Sequence, residues 1–207
     1  MPSTSSPEVI EKLKHAPHVP GVEGLILRRW SPRVYADKEV PAAELKRLFE
    51  AARWAASSSN EQPWRFLVGR RGDETYQKIL NALVEFNQAW ARSAPVLVLA
   101  VAKMTFTAKG TPNRYGLHDT GAAMATLALQ ATTDGPHTHS MAGFDNDLMR
   151  ASFAIPSDYE LGAVTAIGYF GDPANLPEHL HKMEVSARQR KPLEEFVFSA
   201  WEKPAQF

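Results

Sequence analysis

Cysteine is absent from the 207 residues, and with it go disulfides, thiolate catalysis and cysteine-based metal sites. A reducing compartment, the cytoplasm, is the expected location. An excess of charge of either sign is also missing. The 23 Lys and Arg residues are matched by 23 Asp and Glu, so no general field toward nucleic acid or a membrane surface is expected. Long apolar runs are scarce: the longest, Ala94 to Ala102, is far too short to cross a bilayer and reads as a buried strand. No basic region followed by an apolar one stands at the N-terminus, so no secretory signal is expected. No GxGxxG follows a strand, which removes the usual dinucleotide-binding fingerprint. The pairs His137/His139 and His179/His181 have no nearby third ligand of the usual kind, and no metal site is expected.

What is present is ordinary for one globular domain. Hydrophobic residues make up 44% and charged residues 22% of the chain, enough for a single α/β or α+β core. Pro7 opens a short helix through Lys14. Apolar residues at i, i+3, i+4 and i+7 predict a helix over Glu44 to Ala52, and Trp64 to Val68 reads as a strand. Asp73 caps a helix from about Glu74 to Leu83. The segment from His118 to Ala131 is a nearly all-round apolar helix of small residues, expected to be buried on several sides. Asp134 to His139 reads as a loop, Asn146 to Phe153 as a short helix, and Glu160 to Gly171 as a strand whose glycines mark a bulge or a close neighbour. Gly143, before Phe144, suggests close backbone approach to something flat.

Two polar stretches carry the chemistry. Ser57-Ser58-Ser59-Asn60-Glu61-Gln62-Pro63-Trp64 sets small hydroxyls and two amides between a helix and a strand. The serines are expected to end that helix, and Pro63 to hold Gln62 extended. Side-chain amides donate and accept at once, which suits a ring edge of alternating carbonyl and N–H groups, such as a pyrimidine. A polar turn that caps its own helix is the other reading. The second stretch, Arg28 to Arg33, offers three arginines and Ser31 around Pro32. Either it is a solvated face, or it is an anion clamp in which guanidinium forks meet phosphate oxygens. A further basic cluster, Arg188-Gln189-Arg190-Lys191, precedes an apolar tail.

Arg29-Trp30-Ser31-Pro32-Arg33, Asn60-Glu61-Gln62-Pro63-Trp64, Asp119-Thr120-Gly121-Ala122, Gly143-Phe144-Asp145, the Ala166 to Pro173 stretch and Arg190-Lys191-Pro192-Leu193 follow one another as in the nitroreductase family of FMN flavoproteins, which the chain resembles from about Leu25 to Phe198. The resemblance implies an α+β fold, with a central, mostly antiparallel sheet flanked by helices, and an intertwined homodimer with FMN at the subunit interface. Residues 1–24 would be an N-terminal extension and 25–207 the FMN-binding domain with its C-terminal arm. The implied activity passes electrons from NAD(P)H to nitroaromatics, quinones or similar small electron-poor acceptors by a ping-pong mechanism. A specialised flavin enzyme of the same fold, or a non-catalytic FMN-binding protein, is the alternative.

Carried over by the resemblance, Arg29, Ser31 and Arg33 form the first FMN-binding cluster around Trp30. Arg33 would sit at the N1/O2 side of the ring and Arg29 nearer the phosphate. Asn60 and Gln62 would contact the pyrimidine edge, with Ser57, Ser58 and Ser59 on the segment that crosses to the other subunit's flavin. The backbone of Ala142 and Gly143 would approach N5, and Arg188 and Arg190 would bind phosphate. No side chain is implied as a catalytic acid or base, because the cofactor performs the hard chemistry. Ala142 departs from members that carry an acidic residue there, and Trp30 from those with a smaller side chain or an imidazole.

Overall fold

The computed structural model describes residues 6–206. In chain order its helices are α1 (Pro7–Lys14), α2 (Gly24–Arg28), α3 (Ala42–Arg53), α4 (Glu74–Ala82), α5 (Glu85–Ala91), α6 (Gly116–Asp134), α7 (Asn146–Phe153) and α8 (Glu178–Glu184). Its strands are β1 (Trp64–Arg70), β2 (Val96–Lys103), β3 (His137–Met141), β4 (Tyr159–Gly168), β5 (Phe198–Ala200) and β6 (Lys203–Pro204). The first four form one sheet in the order β1-β2-β4-β3 with every pairing antiparallel, and β5 and β6 pair separately. The α+β expectation is met.

Both faces of the sheet are covered, which is why β2 is a continuous apolar run rather than an alternating one. Leu97, Leu99 and Val101 point into a core with Ile79, Trp90, Phe144, Met149 and Leu180, under α4, α5, α7 and α8. Val96 and Val98 point the other way, against Leu45, Leu48, Ala123 and Leu127 of α3 and α6. Local signals set several boundaries: the Asp73 carboxylate accepts the Tyr76 N–H, and the Asp145 carboxylate accepts the Leu148 N–H. Gly135, at φ 110°, ends α6 in the left-handed conformation that its missing side chain permits.

The β2/β4 pairing is irregular at one step. Leu99 pairs with Val164, but Val101 pairs with Leu161, so β4 uses one residue more than β2 there. The bulge falls at Gly162 and Ala163. A Cβ at Gly162 would stand 3.1 Å from the Ala100 carbonyl oxygen, a tight contact that glycine avoids.

Four expectations are corrected. The serines do not end α3, which stops at Arg53, and Ser58–Asn60 form a separate 3-10 turn. Gln62 is not extended: at φ 52° it is left-handed, its N–H donating to Ser57 Oγ (3.0 Å) and its Nε2 to the Asn60 carbonyl (3.2 Å). These local bonds prevail over the preference set by Pro63. The segment His137–Met141 forms the edge strand β3, not a loop. Within the chain the α6 helix buries Gly116, Asp119, Thr120, Ala123, Leu127 and Ala131 and leaves Gly121 and Ala125 exposed.

Candidate active site

The unburied small side of α6 faces the β4 bulge across a cavity of about 510 Å³, within the usual range of small-molecule sites. Thr120, Gly121, Met124, Ala125 and Ala128 form one wall, and Ala100, Gly162 and Ala163 another. Thr138, His139 and Ser140 of β3 close a third side, and Arg29 and Ser31 enter from the segment after α2. Small residues make the room, because Gly121 has nothing near where a Cβ would be.

The entering segment is held from several directions. Arg29 Nη1 donates to Ser31 Oγ (3.2 Å), and Arg188 Nη1 donates to the Arg29 carbonyl. His139 Nδ1 lies 2.9 Å from the Pro32 carbonyl, while its ring stacks at a tilt on Trp90, centroids 4.5 Å apart. Burial, with the Arg33 and Arg29 charges, pushes His139 down to about 4. His137 is pushed to about 4 as well, mainly by burial and then by Arg29 and His15. Glu11 stands 3.3 Å from His137 Nε2. It is half exposed, so its attraction does not offset that burial, and the contact is one to a neutral ring.

Arg29, Arg188 and Arg190 form a cationic group in need of an anion. Burial and then the Arg190 charge lower Arg29; burial and then the Arg29 and Arg190 charges lower Arg188. Among the described residues no carboxylate offsets either effect, and Arg188 Nε is buried without a hydrogen-bond partner, as is Thr120 Oγ1 at the cavity wall. A phosphate oxygen supplies both the charge and the acceptors that this group lacks.

The other expected site residues lie apart within one chain. Asn60 and Gln62 line a separate cavity of about 410 Å³ with Arg53, Trp54, Ala55 and Ala56. Ser59, Asn60 and Gln62 all have positive φ (53°, 54° and 52°), a concentration of strain typical of functional segments. Ser58 is tied to the α6 wall, its N–H donating to Asp119 Oδ2 at 2.9 Å. Ala142 is exposed directly after the β3 wall. The flat neighbour of Gly143 is the Asn87 amide, which donates to the Gly143 carbonyl at 2.9 Å. Trp30 is buried edge-on against Phe170 and His137, outside the main cavity. Arg33 also lies outside it, paired with the buried Glu184.

The sequence profile of the family described as the Nitroreductase family matches residues 26–88 and 74–169. The chain belongs to the nitroreductase family. Among its relatives, an uncharacterized 15.4 kDa protein of Mycolicibacterium smegmatis is 34% identical over 149 residues, covering 68% of this chain and 99% of its own. A Thermus thermophilus protein named NADH dehydrogenase is 28% identical over 189 residues, covering 76% and 90%. A solved structure described as an oxidoreductase containing FMN superposes with a TM-score of 0.83 at 34% identity, covering 89% of this chain and 94% of that one.

Most of this cavity escapes a residue-by-residue reading of the sequence. Thr120 and Gly121 stand in a family motif without a site role attached, and Thr138 and His139 are hidden by reading Asp134 to His139 as a loop. The alternation that marks β3 as a strand, half-buried His137 and His139 around buried Thr138, shows only in the folded chain.

Proposed function

We propose that the chain is an FMN-dependent oxidoreductase passing electrons from NAD(P)H to nitroaromatic, quinone or similar electron-poor acceptors. The observation that carries this reading is the group of arginines around Arg29, without a counter-anion among the described residues, beside a cavity walled by small residues. Its fit to FMN is chemical: a phosphomonoester for Arg29, Ser31, Arg188 and Arg190, and the small-walled space between α6 and the β4 bulge for the ring. Bound FMN would supply the redox chemistry, two-electron transfer in two half-reactions that share one cavity. The chain's own residues bind, orient and shield. Neutral His139 places the Pro32 segment, Ala142 and Gly143 bring backbone to the redox end, and the apolar walls exclude water.

The amide corner belongs to the same site only in a homodimer, in which Ser57, Ser58, Ser59, Asn60 and Gln62 of a second copy meet this cavity. Leu193, Phe196 and Trp201 support the dimer: they are 54%, 56% and 86% exposed on a tail that pairs with itself. Among the described residues no helix is long and apolar enough to cross a membrane, and the lack of cysteine favours a cytoplasmic setting. The test is anaerobic mixing of purified, FMN-loaded protein with NADH or NADPH, then with a nitroaromatic. The reading expects loss of the yellow colour and its return with consumption of the acceptor. A flavin that neither nucleotide bleaches would favour a binding protein.

A further inference from the structure

Between β2 and α6 the chain folds back as a small hairpin. The Phe106 N–H donates to the Thr111 carbonyl and the Gly110 N–H to the Phe106 carbonyl, both at 2.8 Å, and Thr105 bridges to Pro112. Its base is fixed at α6. The Asn113 N–H donates to the Met104 carbonyl (2.7 Å), and the fully buried Asn113 turns its Oδ1 to the Tyr115 N–H (3.1 Å) where the helix begins. Its tip is fixed to the amide corner. Glu61 Oε1 accepts both the Thr107 N–H (2.9 Å) and the Thr107 hydroxyl (2.5 Å), and Lys103 Nζ donates to that hydroxyl (3.1 Å), which leaves its proton for the carboxylate. The two bonds from Thr107, ahead of the Lys103 and Arg65 charges, hold the Glu61 carboxyl below its ordinary value.

Ser59, Asn60 and Gln62 are left-handed, whereas Glu61, between the two amides, is right-handed (φ -66°, ψ -30°). Residues other than glycine stay in such a backbone only where their surroundings fix it from more than one side. The bonds from Gln62 to Ser57 and Asn60 lie inside the corner, and Asp119 holds its start through the Ser58 N–H. The far side is held from β2 and the hairpin: the Lys103 N–H donates to the Pro63 carbonyl (2.9 Å), and Thr107 takes Glu61. We propose that Glu61 is a positioning residue whose grip on Thr107 fixes the backbone between Asn60 and Gln62, so that both amides meet the pyrimidine edge of the flavin held by a second copy. The inference rests on the FMN reading of the corner. Water reaches the bonds of Glu61, so they supply orientation more than stability, and an ionised acceptor with two donors on one oxygen is suited to that.

The test titrates FMN and FMN methylated at N3, which keeps the ring and phosphate but lacks the edge N–H, into wild type, Glu61→Ala, Glu61→Gln, Thr107→Val and the Glu61→Ala/Thr107→Val pair. Wild type should prefer FMN at least about tenfold, because a site built to bond an N–H rejects the analogue without it. Glu61→Ala should cut that preference to about threefold or less, and Glu61→Gln, which keeps an acceptor, should retain most of it. Thr107→Val keeps the N–H but not the hydroxyl and should fall between. The pair should be no worse than Glu61→Ala, since both changes break one contact. An unchanged preference in Glu61→Ala, or losses that add in the pair, would overturn the proposal. Should Glu61→Ala fail to fold, Thr107→Val decides by the same criterion. Hydrogen exchange across Ser57 to Gln62, measured without FMN, separates the two ways of failing. Faster exchange in Thr107→Val, in a protein whose wild type shows no preference, leaves the grip standing and rejects the flavin reading of the corner. Unchanged exchange rejects the grip itself.

Discussion

Asp119 Oδ2 accepts the backbone N–H of Ser58 at 2.9 Å, joining the strained amide corner to the first turn of the helix that walls the cavity. Asp119 is buried, and its other oxygen meets His118 Nδ1 at 2.9 Å. Replacing it with Ala strands the Ser58 N–H and should cost about 1–3 kcal/mol. Asn, which keeps an acceptor, should cost less. Urea denaturation of the two variants checks the order, and equal losses would mean that the hydrogen bond is not what matters.

The small side of α6 predicts a separation of binding from stability. A Cβ at Gly121 meets no neighbour, and the residue lines the cavity, so Gly121→Phe should direct its ring into that space. Removing a helical glycine also favours the fold by up to about 1 kcal/mol. The unfolding midpoint should hold or rise while FMN affinity falls at least about tenfold, measured by quenching of flavin fluorescence.

His137 and His139 make stability depend on acid. Each protonates near 6.5 when unfolded but only near 4 when folded. Between those values the unfolded state binds more protons, so stability falls as pH drops from about 6.5 to about 4 and then levels off. Each displacement is worth about 3 kcal/mol. Glu184, raised by burial, works in the opposite direction above its ordinary value. Urea midpoints between mildly alkaline and acidic buffers should show the decline, and His139→Gln should reduce its slope. A flat profile would show that neither ring is desolvated.

Trp201 and Phe196 should matter for assembly and not for folding. Their exposure in one chain predicts that Trp201→Ala with Phe196→Glu shifts a dimer toward monomer in light scattering at micromolar concentration, with the secondary structure unchanged. An unchanged mass would remove the tail from the interface.

How much of this is legible in the sequence depends on whether the deciding contact is local. Asp73 caps its own helix three residues away, Pro7 starts one, and the unbroken apolar β2 announces a sheet covered on both sides. These are short-range facts, and the structure has them. The strand β3 is not legible, because a five-residue edge strand of His, Thr and Ser resembles a loop until its partner β4 is known. The surroundings of Arg33 are hidden for a similar reason, since Glu184 lies 151 positions away in sequence. The α6 pattern does read as small and apolar, but periodicity cannot tell whether small residues admit a neighbouring helix or leave a cavity.

An arginine group that serves a phosphomonoester at the end of a flat ring should tell FMN from the same ring without its phosphate. A single titration compares FMN with riboflavin, which carries the same ring without the phosphate. Wild-type protein should bind FMN at least about a hundredfold more tightly, and Arg188→Ala with Arg190→Ala should remove most of the difference. Equal affinity for the two flavins, or binding of neither, would contradict it.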